Sequence, residues 1–170
     1  MDLHLESFSG AHAHLQCDQL IEQARAALGK YHESPVALHV DVDGSDGQIR
    51  LVFEAADERT RRTYQRQRII EDAAIAIAGI VLREHYDLCI VKATYRGSHA
   101  DYFVGPRPGQ DPIGVVEVSG TDERPLDAVF EDKLRQVGRS TWAERFVSVT
   151  RFATPATKCG RSGNGARYDE

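Results

Sequence analysis

From Ala73 to Leu82 the chain reads Ala-Ala-Ile-Ala-Ile-Ala-Gly-Ile-Val-Leu. The run is too short to cross a bilayer. It is also too uniformly apolar for a helix that shows one face to water. It falls in the second half of a helix expected from Arg59 to His85. A helix that is apolar nearly all round must be covered on more than one side, so this one is expected between two layers.

The segments around it alternate. Val36, Leu38, Val40 and Val42 point one way, and after a turn at Asp43-Gly44-Ser45-Asp46-Gly47 so do Ile49, Leu51 and Phe53. This is a β-hairpin with one buried face. Before it, Leu20, Ile21, Ala24, Ala27 and Leu28 form the stripe of a helix over Asp18 to Leu28, stopped at Gly29. Met1 to Leu15 is read as irregular and polar. After the long helix the expected elements are strands Leu88–Tyr95, Asp101–Val104 and Ile113–Ser119, a helix Pro125–Gly138 and a strand Arg145–Phe152. The fold class is therefore α+β: a mixed central sheet with flanking helices, its αβββαβ core preceded by a helix and a hairpin. Residues 1–152 form one domain, with the N-terminal helix and hairpin in 16–55 and the core in 59–152. Residues 153–170, rich in Gly, Ser and charge, are expected to be a disordered tail.

Composition narrows the class. The 170 residues are 41% hydrophobic and 28% charged, enough for one domain with a core. No secretory signal and no membrane span are expected. Cys17, Cys89 and Cys159 lack metal-ligand spacing, and reduced thiols in a cytoplasmic protein are the simple reading. A net charge of -5 opposes general nucleic-acid binding. Arg59, Arg61, Arg62, Arg66 and Arg68, however, crowd into one segment. They either face phosphates or pair with Asp57, Glu58 and Glu71 on a solvated helix.

The candidate chemistry lies in the second and third core strands. In Gly114-Val115-Val116-Glu117-Val118-Ser119-Gly120, Val115, Glu117 and Ser119 share one face. A glutamate inside so apolar a strand is costly unless something pairs with it. Asp101 heads the neighbouring strand, and carboxylates on adjacent strands suit a divalent cation. Lys133 stands mid-stripe among Leu126, Val129, Phe130, Leu134 and Val137. A lysine there either reaches a partner or snorkels over the sheet edge. Lys92 shares a face with Asp101 if Gly97-Ser98 closes their hairpin. His99 is a turn residue or a proton carrier. Glu71 is placed on the buried stripe with Ile75, Ala78 and Leu82, and Asp72 on a more exposed side. His4, His12, His14 and Cys17 belong to the polar N-terminal segment rather than to a zinc site. The Asp41–Gly47 segment lacks the glutamate that closes a calcium loop and is read as a turn.

Element order, Asp101 and Glu117-Val118-Ser119 together resemble the PD-(D/E)xK nuclease superfamily, over roughly residues 60 to 152. The resemblance implies a restriction-endonuclease-like fold and a DNA-cleaving hydrolase using Mg²⁺ or Mn²⁺. It implies metal ligands at Asp101, Glu117 and Glu71, and catalytic roles for these with Lys133 and Ser119. Arg59, Arg61, Arg62 and Arg66 would hold DNA, with Arg135 or Arg139. Ser119 stands where that family carries lysine, and Lys133 is the expected substitute. The alternative is a degenerate nuclease fold that binds a protein partner, a second copy or nucleic acid without cutting.

Overall fold

The computed structural model describes residues 2–12 and 14–162. Its long helix is α4, Arg66–Tyr86, and every residue from Asp72 to Leu82 is buried. Two shorter helices, α1 (Ser7–His12) and α2 (Cys17–Leu28), pack on one side of it, and the sheet packs on the other. The all-round apolar sequence is thus satisfied as expected, by burial between layers. Each Ile or Leu so enclosed contributes roughly 1.5–3 kcal/mol. Gly79 allows the close approach of α1: a methyl group there would meet the Phe8 ring at 2.4 Å.

The strands are β1 (Asp2–His4), β2 (Val36–Val42), β3 (Ser45–Val52), β4 (Cys89–Ala93), β5 (Tyr102–Gly105), β6 (Gly114–Thr121), β7 (Glu144–Arg151) and β8 (Ala156–Arg161). Among the described residues they form one mixed eight-stranded sheet, ordered β1-β3-β2-β8-β7-β6-β5-β4. Asp43 and Gly44 join β2 to β3 with φ of 51° and 82°, the paired positive values of a two-residue hairpin turn. Core strands β4, β5, β6 and β7 are neighbours in chain order, with β6 and β7 parallel. The connection between that parallel pair is α5, Leu126–Val137. It covers the sheet face opposite α4, packing on β6, β7 and β8. Alternation divides β6 between two cores: Val116 joins the α4 side, and Val115 joins the α5 side with Val129, Phe130, Val137, Val147 and Val149.

Three expectations are corrected. The helix read from Arg59 is two helices, α3 (Glu58–Thr63) and α4, with Tyr64 and Gln65 extended between them. Among Glu58–Thr63 only Thr60 is buried, and a helix without a packed face has little to sustain it. The N-terminal segment is not irregular where it is described: it supplies β1 and α1. Leu3, Leu5, Phe8 and His12 are buried, and β1 lies parallel to β3 with Leu3 beside Leu51. The supposed tail supplies β8, which pairs parallel with β2 and antiparallel with β7. Its polar sequence reads as a loop, but a central strand takes its stability from two ladders and two covered faces. Residues 163–170 lie outside the described residues.

Because β8 joins the β1-β3-β2 unit to the core strands, a chain ended at residue 153 should fail to fold. Circular dichroism would show no cooperative thermal transition. A transition within a few degrees of the full chain's would contradict the central placement of β8.

Candidate active site on the β5–β6 ladder

Tyr102 pairs with Val116 and Phe103 with Val115, so Asp101 falls opposite Glu117. The Asp101 backbone N–H donates to the Val116 carbonyl (3.0 Å), and its side-chain Oδ2 accepts from the Val118 N–H (2.8 Å). Asp101 is exposed, whereas Glu117 is only 1% exposed, under α5. From α5 the Lys133 Nζ donates to Glu117 Oε1 at 2.5 Å and to Gln136 Oε1 at 3.3 Å. Lys133 thus reaches a partner instead of snorkelling. Its mid-stripe position is explained by a buried carboxylate directly beneath it.

Glu117 Oε2 is buried and, among the described residues, has no hydrogen-bond donor. The nearby Asp101 carboxylate supplies none, since two ionised carboxylates are both acceptors. Burial is the largest influence on Glu117. It pushes the acid up to about 7 against the hydrogen bond from Lys133, and the Asp101 charge pushes the same way. A proton between the two carboxylates would satisfy Oε2, and so would a cation. Both donors are carboxylate oxygens, which suit a hard cation such as Mg²⁺ or Mn²⁺. Mg²⁺ is commonly held by one or two carboxylates plus the phosphates of its substrate.

The other candidates are dispersed. Ser119 lies two residues beyond Glu117 on the same face, half-buried, in register with Val149. Lys92 is opposite Phe103 and so shares the face of Asp101 as expected, one diagonal step away from it, with its Nζ 5.5 Å from the Phe103 ring centroid. Thr94 takes the place beside Asp101, its N–H bonded to the Asp101 carbonyl at 2.9 Å. The assignment of Glu71 and Asp72 is reversed. Glu71 is exposed and accepts from Gln67 (2.9 Å), while Asp72 is buried and accepts from Arg68 (2.9 Å) and Gln19 (3.4 Å). The α2 helix lies over the Asp72 side of α4, which the stripe alone did not reveal. Glu71 does not join Asp101 and Glu117: among the described residues no three His, Cys, Asp or Glu side chains are grouped to hold one ion.

Most of the arginine cluster is paired. Arg59 bonds Asp57, Arg62 bonds Glu58, and Arg66 makes a two-pronged bond to Asp122 at 2.5 and 3.0 Å. Arg61 lines a cavity with Lys30 and Arg66. On α5, Arg135 pairs with Asp132. Two of the N-terminal histidines are structural: His12 is fully buried against Phe8, and burial drives its pKa down to about 4, while His14 bonds the Ile90 carbonyl at 2.7 Å; His4 is exposed. Cys17 donates to the His12 carbonyl. In the hairpin turn, Asp43 accepts from the Tyr86 hydroxyl and the Arg161 N–H.

Sequence reading missed the opening beside Asp101. The β4–β5 connection borders a shallow, open cavity of about 430 Å³, lined in part by Tyr95, Arg96, His99, Asp101 and Gln136. His99 takes φ of 59° there, and Tyr95 is 63% exposed. Gln136 was detectable, being three residues after Lys133 and so a neighbour on the same helix face. The loop cavity had no sequence signal. Compared with known proteins, the chain matches no family model, no curated protein and no solved structure. Among the described residues no helix is long and apolar enough to cross a membrane.

The raised acid sets a pH dependence. Between its ordinary 4.5 and about 7, folded Glu117 keeps a proton that the unfolded chain has released. Stability therefore falls as pH rises through that window, by on the order of 1–3 kcal/mol in full. Glu117→Gln removes the titration, so its gain over wild type should be larger at pH 8 than at pH 5 in thermal melts. Parallel wild-type and variant profiles would refute the shift.

Proposed function

We propose that this chain is a metal-dependent nuclease of the PD-(D/E)xK type, acting on DNA, with its lysine supplied by α5. The observation that carries the reading is the Lys133–Glu117 bond at 2.5 Å beside Asp101, within an αβββαβ core. The three side chains that the resemblance requires come from three elements and meet at one place, although the usual lysine position holds Ser119. Asp101 and Glu117 would hold Mg²⁺ or Mn²⁺, with Glu117 Oε2 as the oxygen awaiting a positive partner. The cation, when bound, withdraws electron density from the phosphate and makes nearby water more acidic.

The chain's own groups do the rest. Asp101 lines the open cavity, where a phosphodiester would approach in this reading. Lys133 brings a positive charge to the same carboxylate and stabilises charge growing on the phosphate oxygens. Gln136 holds the Lys133 ammonium from its own helix. Arg96 and His99 line the cavity and offer donors to the strand. Glu71 has no part in this reading. DNA is the substrate class by resemblance, and a cytoplasmic location accords with the three free cysteines.

One observation favours a second reading. Lys133 and Glu117 already pair with each other, so the site also works as a closed structural contact in a binding module without catalysis. Incubation with supercoiled and linear DNA in Mn²⁺ separates the two. The nuclease reading requires cleavage that EDTA stops and that Glu117→Ala removes. Unchanged cutting by Glu117→Ala would eliminate the site, and no cutting with any divalent cation would leave the binding module.

Lys133→Met provides a finer test. Loss of one aligned charge should slow cleavage by about a hundredfold, equivalent to ~3 kcal/mol. It also removes the Lys133 hydrogen bond that lowers the Glu117 pKa, so that pKa should rise further. Wild-type cleavage by Lys133→Met would exclude the lysine from the reaction.

A further inference from the structure

We infer that the cavity between the end of α2, α3 and the start of α4 binds a phosphate group carried by a nucleotide. The site is separate from the Asp101–Glu117 ladder, and the inference holds whether or not that ladder cuts DNA. Lys30 follows α2, Arg61 comes from α3 and Arg66 opens α4, and all three line a space of about 260 Å³. The space is below the ~300–1,000 Å³ of a site for a drug-sized ligand. It suits one phosphate with its sugar.

Among the described residues the three cations pair with one acid. Asp122 accepts two bonds from Arg66 and lies 3.7 Å from Lys30 Nζ. Among the described residues Arg61 makes no ion pair. Three positive charges against one negative leave a surplus of two at the cavity. Gathering like charges costs energy, and a phosphate anion removes that cost. Two of the cations are guanidinium groups, whose planar forks match phosphate oxygens.

The cations are also held in position. The Tyr31 ring is near two of them, with Lys30 Nζ 4.5 Å and the Arg66 guanidinium carbon 5.7 Å from its centroid. Lys30 also donates to the Tyr31 hydroxyl at 2.7 Å. Arg61 lies against the end of α2 because residue 29 is glycine. A methyl group at Gly29 would stand 3.1 Å from Arg61 Nη2 and 2.9 Å from the Arg25 carbonyl oxygen. Gly29 has an ordinary helical φ of -67°, so space and not backbone conformation is the reason for glycine here.

Tyr64 identifies what the phosphate is attached to. It is one of three large hydrophobic side chains exposed among the described residues, 38% accessible, and it lines this cavity. An exposed ring beside a cationic pocket is the arrangement that stacks an unpaired base while cations hold its phosphate. A free mononucleotide and a single strand share this chemistry.

The test is binding in EDTA at low salt, where no cleavage intervenes. The probes are a 5′-phosphorylated DNA single strand labelled at its 3′ end, followed by anisotropy, and dAMP and inorganic phosphate by calorimetry. Wild type should bind the strand, and inorganic phosphate should compete. Lys30→Gln with Arg61→Gln should weaken binding by about tenfold or more, since two phosphate contacts are lost. Tyr64→Ala should weaken the strand and dAMP but not inorganic phosphate. Arg59→Gln with Arg62→Gln, whose charges are already paired on the exposed side of α3, should stay within about twofold of wild type. A strand that binds far more tightly than dAMP identifies the backbone as the source, and equal affinities identify the free nucleotide. Absence of binding by all three probes would overturn the inference. So would an Arg59 and Arg62 double variant as weak as the Lys30 and Arg61 one, because the attraction would then be a diffuse field.

Discussion

A carboxylate sealed inside an apolar sheet is the constraint on which this structure turns. Glu117 is surrounded by valines along its strand and covered by α5, and removing its charge from water costs several kcal/mol. The Lys133 ammonium answers it with a hydrogen bond. That bond requires α5 to lie across β6 and β7 at one setting, which the parallel β6–β7 register and the Val129–Phe130–Val137 packing provide. The second carboxylate, Asp101, works against the arrangement by raising the proton affinity of Glu117. A fold selected only for stability has no reason to place two acids here. Replacing a buried ion pair with apolar residues of similar volume is often stabilising. The unpaired oxygen of Glu117 is where a proton sits in the acid form and where, in the proposed reading, a cation would be held.

Much of the frame could be read from residue patterns, because those patterns report burial. The alternation at Val36–Val42 and Ile49–Phe53 requires a half-buried hairpin, and the run Ala73–Leu82 requires cover on every side. The mid-stripe lysine at 133 and the mid-strand glutamate at 117 each break a local rule, and each is resolved by the other. Two such anomalies on neighbouring elements are informative because either alone would be costly.

What escaped the sequence depended on neighbours that no local pattern encodes. Strand β8 alternates Thr157, Lys158 and Cys159 without an apolar stripe, and only its position between β2 and β7 makes it a strand. Glu71 and Asp72 are adjacent on α4, and which of them is buried depends on where α2 crosses. The cavity beside Asp101 is a property of the β4–β5 loop path. The charge geography is similar. A net charge of -5 conceals a cationic cavity assembled from residues 30, 61 and 66, which are far apart in the chain.

Crystals grown with Mn²⁺ and examined by anomalous scattering test the account most directly. It predicts one strong peak between Asp101 and Glu117, within about 2.5 Å of a carboxylate oxygen from each, with Lys133 still beside the site. An empty site at saturating Mn²⁺, with Lys133 Nζ bonded to Glu117 Oε1 as in the metal-free chain, would contradict it.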